Sequence, residues 1–230
     1  EMTQQPTTEQ CPPEREQPGS EDAWRDKIRG WMEVHAFPER IRVRTEAEAQ
    51  ARELLERRLG QMSESEIRQM LRLINTDYWA DKVGYRRFMP AMYGALANLI
   101  VADVDAFNRW AERLWTAEGS GLDDALDEFW LRKEVRGAGI SLPTAILYLR
   151  DPERFGLWLP MMHEGLQNGT GLDLPRAETA AAYRTYNETL QRFAQQYSVP
   201  HPALDIVMYG LREAQPVTSE LAEPFSRTFA

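Results

Sequence analysis

Residues 103–130 read DVDAFNRWAERLWTAEGSGLDDALDEFW and decide the fold class. Apolar residues recur within them at intervals of three and four, the spacing that places side chains on one face of an α-helix. They are Val104, Phe107, Trp110, Ala111, Leu114 and Trp115, followed by Leu122, Ala125, Leu126, Phe129 and Trp130. Asp103 precedes the first series, where its carboxylate can accept hydrogen bonds from the free backbone N–H groups of a helix start. The stretch predicts two successive amphipathic helices.

The same helical period extends outward from this stretch in both directions. Toward the N-terminus, cap candidates precede apolar stripes at Ser20, at Thr45 with Glu48, and at Ser63 with Glu66. Toward the C-terminus, Ser141 is the predicted cap of a helix over 142–149, and helices are predicted over 85–101, 175–197 and from Pro202. Residues 40–44 (RIRVR) alternate like a strand but are too few to stand alone, so we expect an extended linker there.

These patterns predict one all-α globular domain of about eight helices over residues 22–214. Residues 1–21 are rich in Pro, Gln and Glu and poor in apolar side chains, so we expect a disordered tail. Residues 215–230 have no clear period and are predicted to form an irregular C-terminal tail.

Net charge limits the classes of partner. The chain holds 27 Lys and Arg against 36 Asp and Glu, a net charge of −9. Outside the acidic first 22 residues, 26 basic and 30 acidic residues remain. A broad, nonspecific nucleic-acid binder normally has a basic field, so only a local basic patch fits this chain. No apolar run approaches the length of a membrane span and no signal-peptide core is present, so we expect a cytoplasmic protein without a membrane partner.

Cofactor and metal chemistry has little support in the sequence. A single cysteine, Cys11, excludes an internal disulfide, a cysteine zinc site and an iron–sulfur cluster. The three histidines lack the spacing of a helical metal pair. Asp123, Asp124, Asp127 and Glu128 could hold a cation on one helix face, but favourable helix-start charges explain them more simply. We expect no metal, no cofactor and no catalytic residue.

Residues 135–141 (VRGAGIS) are the most informative candidate site. Gly137 and Gly139 flank Ala138 and can adopt positive φ in a tight turn, and Ser141 then opens a helix. Backbone N–H groups at such a helix start can bind a phosphate. Arg132, Lys133 and Arg136 precede the helix, and Arg150 and Arg154 follow it. The alternative is a plain connector between two helices that needs glycines for its geometry alone.

Residues 137–149 (GAGISLPTAILYL) and 151–159 (DPERFGLWL) resemble the helix-hairpin-helix segment of the endonuclease III-like DNA glycosylases. The same stretch is similar to helical domains that precede the ATPase module of McrB-type restriction enzymes. The resemblance covers about thirty residues, with a looser likeness in the C-terminal helices. It implies a helix-hairpin-helix element that binds the phosphate backbone of DNA.

Catalysis is not implied, because the residues that carry it in the glycosylases are missing. Their catalytic aspartate would fall near Leu159, where no acid stands, and Asp151 comes too early and suits a turn. Ser141, Leu142 and Pro143 occupy the place of the lyase lysine, and the four-cysteine cluster is absent.

Aromatic residues offer a further route to nucleic acid. Trp79 and Trp158 fall between predicted helices and could stack on unpaired bases, whereas most other tryptophans lie on apolar stripes and belong to the core. Residues 85–88 (YRRF) form a second basic and aromatic spot, with a solvated helix start as its alternative.

Three functions remain open at this point. The first is a DNA-recognition module without its own catalysis, in a DNA-processing or defence-type system. The second is a helical adaptor or oligomerisation protein that acts through a protein partner or through copies of itself. The third is an inactive enzyme relative that keeps only the scaffold. The glycine turn with its cations favours DNA, and the overall acidity favours the adaptor.

Overall fold

The computed structural model describes the backbone of residues 21–213 and the side chains of residues 24–213. The predicted tails, apart from Glu21, and the predicted cap Ser20 lie outside the described residues. This part of the chain contains α-helices and one 3-10 turn but no β-strand, so the prediction of an all-α fold is confirmed. The helices are α1 (Glu21–His35), α2 (Pro38–Arg57), α3 (Glu64–Ile74), α4 (Ala80–Val83), α5 (Gly94–Ile100), α6 (Val104–Thr116), α7 (Ser120–Arg132), α8 (Ser141–Arg150), α9 (Pro160–Thr170), α10 (Ala180–Tyr197) and α11 (Leu204–Glu213).

Eleven helices form in the described residues where the sequence predicts about eight. The short helix α4 and the helix α9 have no counterpart among the predicted helices, because no cap or apolar stripe marks them in the sequence. Helix α8 is the centre of the fold, since every residue from Ser141 to Leu149 is buried. Helices α2 and α6 pack against α8, α7 packs against α6 and α10, and α9 packs against α10 and α11. Helix α1 closes the fold against α11.

Two predicted helix caps are confirmed. The Ser63 hydroxyl accepts from the Glu66 amide at 3.3 Å, and the Glu66 carboxylate accepts from the Ser63 amide at 2.8 Å. The Asp103 carboxylate accepts from the Ala106 amide at 2.8 Å. These side chains satisfy backbone donors that a helix start leaves free, which is why the sequence marks these two starts so clearly.

The predicted extended linker over residues 40–44 is wrong. These residues belong to α2, which begins at Pro38, and Thr45 lies inside the helix with its hydroxyl bonded to the Ile41 carbonyl at 2.9 Å. The capping box predicted at Thr45 and Glu48 is therefore wrong as well. Arg40 and Arg44 are four residues apart and share the buried face of the helix, because both find carboxylates there.

The partners of these arginines form a buried charge cluster of three arginines and three acids: Arg40, Arg44, Arg87, Glu48, Asp77 and Asp205. Asp77 receives Arg40 Nε at 3.1 Å and Arg44 Nη2 at 2.5 Å. Asp205 receives Arg44 Nη1 at 2.9 Å and Arg87 Nη2 at 3.0 Å. Arg87 also pairs with Glu48, which accepts from the Tyr148 hydroxyl. Balanced charge and multiple hydrogen bonds per group are what allow such a cluster to be buried.

The buried charge cluster makes stability sensitive to acid. Burial disfavours the charged carboxylate of Asp205, but Arg44 and Arg87 outweigh this and hold its pKa below the ordinary value. Such a carboxylate stabilises the fold at pH values above its unfolded pKa, and this contribution is lost as the pH falls through the folded pKa. We expect the free energy of unfolding to decline as the pH drops below roughly 4.

Urea unfolding at several pH values in 0.5 M NaCl measures this effect, since salt of this concentration screens exposed ion pairs far more than buried ones. The Asp205→Asn variant should show a shallower decline with acid than the wild-type protein. Equal slopes for the two proteins would contradict the assignment to Asp205.

The helix predicted over residues 85–101 is wrong for its first half. Within this range only α5 is an α-helix, because the backbone before it bonds to the Asn75 side chain rather than forming helical hydrogen bonds. The Asn75 side chain accepts from the Phe88 amide at 3.0 Å and donates to the Met92 carbonyl at 3.3 Å. Arg87 is drawn inward to the buried charge cluster.

The two predicted C-terminal helices are present, but both begin later in the sequence than predicted. Helix α10 begins at Ala180 rather than near Pro175, because Thr179 caps it by accepting from the Ala182 amide at 3.2 Å. The final helix is preceded by a 3-10 turn, His201–Ala203.

Candidate nucleic-acid interface

The α7–α8 turn, residues 133–140, carries the central part of the predicted site. Helix α7 ends at Arg132, and Lys133 takes a left-handed conformation with φ of 51° while its amide donates to the Phe129 carbonyl at 3.1 Å. Gly137 and Gly139 have φ of 77° and 52°. The prediction of positive φ at both glycines is confirmed.

The two glycines are needed for different reasons. A Cβ atom at Gly137 would lie 2.8 Å from the Leu96 carbonyl oxygen and 2.9 Å from Leu99 Cβ, so the turn packs tightly against α5 there. At Gly139 a Cβ atom would meet nothing within 4 Å. Gly137 is therefore fixed by both conformation and space, whereas Gly139 is fixed by conformation alone and stands open.

The predicted cap at Ser141 is wrong. Ser141 is the first residue of α8 and is buried, and Ile140 occupies the cap position with helical angles and no side-chain hydrogen bond. The Thr144 hydroxyl instead binds the Ile140 and Ser141 carbonyls at 3.0 and 3.1 Å. Ala138 is also buried, and its backbone bonds to Val135 and Leu142, so neither Ala138 nor the Ser141 side chain is open to a ligand at the turn.

A cavity of about 280 Å³ lies beside the α7–α8 turn. Its wall includes Phe129 and Trp130 at the end of α7, and Lys133, Arg136 and Glu178 contribute charged groups. The indole Nε1 of Trp130 is buried and has no hydrogen-bond partner among the residues that the structure describes. The cavity combines an apolar wall with two cations, one acid and the glycine backbone.

Carboxylates accompany most of the cations at this turn. Arg132 pairs with Glu128 and, at 3.3 Å, with Glu134. Lys133 Nζ lies 3.2 Å from Glu178. Arg136 is exposed and has no ion-pair partner among the described residues. The turn thus presents partly neutralised positive charge, with Arg136 as its unpaired cation in this part of the chain.

Arg150 and Arg154 do not join the other predicted cations. Arg150 is the last residue of α8, whose ten residues span about 15 Å, and Arg154 follows the helix by four residues. Both pair with Glu118. Arg150 also donates to the Leu114 and Ala117 carbonyls at 3.1 and 2.7 Å and so caps the C-terminus of α6. The predicted cations therefore form two separate groups, one at the α7–α8 turn and one around Glu118. Arg150 has a structural role in the second group.

The residues at and near the candidate catalytic positions have structural roles. The Asp151 carboxylate accepts from the Glu153 amide at 3.1 Å, which confirms its prediction as a turn acid, and Leu159 is buried. Buried His163 accepts from Trp158 Nε1 at 3.0 Å through Nδ1, so its Nε2 carries the proton toward the Leu174 carbonyl. Burial, reinforced by Arg176, lowers the pKa of His163 and keeps the imidazole neutral near pH 7.

Three of the four acidic residues predicted as a possible cation site on α7 have partners within the protein, and the fourth, Asp124, is exposed. Asp123 pairs with Arg184, Asp127 accepts from the Ala180 amide at 2.6 Å, and Glu128 lies 2.5 Å from Arg113. Between residues 21 and 213, no group of three or more His, Cys, Asp or Glu side chains is arranged to hold a metal ion.

The two predicted stacking tryptophans have different outcomes. Trp158 is buried in a ring cluster with His163 and Tyr186, so it is unavailable to a base and that prediction is wrong. Trp79 is 37% exposed and is therefore accessible to a base.

Within residues 85–88, the second basic and aromatic spot, Tyr85 is exposed, but Arg87 and Phe88 are buried. The sequence did not predict that Arg87 turns inward, because its acidic partners Glu48 and Asp205 lie far away along the chain.

None of the helices in the described range combines the length and apolar character that crossing a membrane requires. Comparison of the chain with models of protein families, with curated proteins and with solved structures found no match.

Proposed function

We propose that this protein is a DNA-recognition module without catalysis of its own, acting in a DNA-processing or defence-type system. The observation that carries the proposal is the α7–α8 turn, where Gly137 and Gly139 adopt positive φ beside exposed Lys133 and Arg136. Two helices joined by a glycine turn support its assignment as a helix-hairpin-helix element. Open backbone at Gly139 allows a phosphate to approach closely.

The ion pairs at the turn weaken this binding without blocking it. Exposed ion pairs contribute only about 0–1 kcal/mol, so a phosphate can replace Glu178 beside Lys133 at small cost. Nearby Glu128, Glu134 and Glu178 nevertheless repel a polyanion. We therefore expect weak binding that depends on few phosphates.

The salt dependence of DNA affinity tests the proposal. For a turn that neutralises two or three phosphates, the logarithm of the association constant should fall with the logarithm of salt concentration with a slope of roughly −2 to −3. The double variant Lys133→Glu/Arg136→Glu should abolish binding at low ionic strength. Fluorescence anisotropy with a labelled duplex measures both effects.

The matched control is Arg29→Glu/Arg57→Glu, which changes the net charge equally on exposed positions of α1 and α2. It should retain most of the affinity if the turn is the binding site. Equal losses in the two double variants would show a general charge effect and count against the turn. Failure of the wild-type protein to bind duplex, single-stranded or modified DNA at low salt would refute the proposal.

A helical adaptor is the second candidate, and one observation favours it. Leu131, beside the turn cations on α7, is 83% exposed, and a large apolar side chain in such a place suits contact with a protein. If DNA binding is absent, light scattering after gel filtration should reveal self-association that Leu131→Glu disrupts.

A further inference from the structure

Exposed apolar side chains concentrate in one segment. Six of the nine large hydrophobic residues that are exposed in the described part of the chain fall within residues 79–99. They are Trp79, Val83, Tyr85, Met89, Tyr93 and Leu99. Three of the six are aromatic. We call Trp79, Tyr85 and Tyr93, with Lys82 and Arg86 beside them, the aromatic surface.

The aromatic surface is held by buried groups. The Trp79 amide donates to the Asp77 carboxylate at 3.1 Å, and Asp77 is fixed by Arg40. The Arg40 guanidinium lies 5.9 Å from the centroid of the Tyr85 ring. The Asn75 side-chain Nδ2 donates to the carbonyl of Met92, directly before Tyr93. The backbone at Trp79 and next to Tyr93 is thus held by buried side chains, which lowers the conformational freedom that this segment loses when a ligand binds.

Cations accompany the rings. Lys82 Nζ lies 3.6 Å from the centroid of Tyr78 and 5.4 Å from that of Trp79. The Arg86 guanidinium lies 5.9 Å from the centroid of Tyr93.

Local charge here is opposite to that of the whole protein. Between residues 78 and 93 the exposed or half-buried charges are Lys82 and Arg86 against Asp81. Glu39 of α2, whose field reaches Lys82, is bonded to Arg42. A positive aromatic surface on a protein of charge −9 matches a ligand with flat rings and negative charge.

The aromatic surface leads to the α7–α8 turn. Tyr93 is the residue before α5, and Leu99 in the last turn of α5 meets Gly137. The seven residues of α5 span about 10 Å, which corresponds to roughly three nucleotides at 3.4 Å each. One bound strand can therefore reach from Tyr93 to the turn.

We infer that Trp79, Tyr85 and Tyr93 stack on unpaired bases of single-stranded DNA whose phosphates reach the α7–α8 turn. This inference rests on the proposed function and specifies its substrate as DNA with an unpaired segment. Stacking on aromatic rings tolerates any base, so the aromatic surface selects for unpaired structure rather than for sequence.

Anisotropy with a labelled 20-nucleotide single strand and its matching duplex tests the inference. The Trp79→Ala/Tyr93→Ala variant should lose single-strand affinity by about tenfold for each ring removed. Its duplex affinity should stay within about twofold of wild type, since duplex bases are already stacked. Tyr209→Ala, which removes an exposed ring from α11, is the matched control and should leave both affinities unchanged.

Each outcome decides a different question. Unchanged single-strand affinity in Trp79→Ala/Tyr93→Ala overturns the inference and leaves the proposed function standing. A wild-type protein that binds no DNA overturns both. A wild-type dimer that becomes monomeric in this variant, seen by light scattering, assigns the surface to a second copy and also overturns the inference. If the double variant does not unfold cooperatively, Tyr93→Ala alone replaces it, with a tenfold expected loss against single strand only.

Discussion

Replacing Arg44 by methionine should lower the free energy of unfolding by about 3–5 kcal/mol, the usual cost of removing one partner from a buried ion pair. The Arg44 side chain is fully buried and bonds both Asp77 and Asp205. Methionine can fill much of the space, but it supplies no donor and no charge. The acids would keep only Arg40 and Arg87, leaving buried negative charge in excess.

Arg42→Met is the matched control, because Arg42 stands two residues away in α2 and its side chain is 54% exposed. It pairs with Glu39 and Glu46 on the helix surface. Its removal should cost no more than about 1 kcal/mol. Urea unfolding followed by circular dichroism and tryptophan fluorescence measures both variants. A loss below about 1 kcal/mol in Arg44→Met would mean that the buried cluster contributes little beyond its packing.

Gly165→Ala should destabilise the protein by about 3 kcal/mol, near the upper end of the usual range for overpacking. A Cβ atom at Gly165 would lie 2.1 Å from the Met208 carbonyl oxygen and 2.8 Å from Met208 Cα. These are backbone atoms, so helices α9 and α11 must move apart to admit one methyl group. The gain in helix propensity from glycine to alanine, about 0.5–1 kcal/mol, cannot offset this.

The control for this variant is Gly30→Ala in the middle of α1, where a Cβ atom would meet nothing within 4 Å. Here the propensity gain acts alone, and stability should rise by about 0.5–1 kcal/mol. The two substitutions are chemically identical and opposite in expected sign. Thermal unfolding of both proteins is sufficient, and a stabilised Gly165→Ala would contradict the close approach of α9 to α11.

Local signals made the all-α fold predictable. Ser63 and Asp103 bond to amides three residues away, so the sequence around them contains both partners. The positive φ of Gly137 and Gly139 was predictable for the same reason, since it depends on the absence of a side chain. The role of this turn in binding DNA stays a prediction.

Distant partners account for the main errors. Arg44 looks like part of a short alternating segment until Asp77 and Asp205 are known, and these lie 33 and 161 residues away. Arg87 looks like a solvated base until Glu48 and Asp205 are placed beside it. No periodicity or cap encodes such pairs, because the stabilising charge comes from elements that only tertiary packing brings together.

The position of Asp205 in the sequence also determines when, during synthesis, the buried charge cluster can form. Arg44 and Arg87 are synthesised long before Asp205, the one carboxylate that they share. Until Asp205 is present, burying the cations on the core-facing side of α2 is costly. Helix α11 brings that carboxylate and, in the same step, covers α9 and accepts the Trp31 indole N–H at the Ile206 carbonyl. The buried charge cluster therefore cannot be completed before residue 205 is synthesised, and until then the incomplete chain is exposed to misfolding that chaperones prevent.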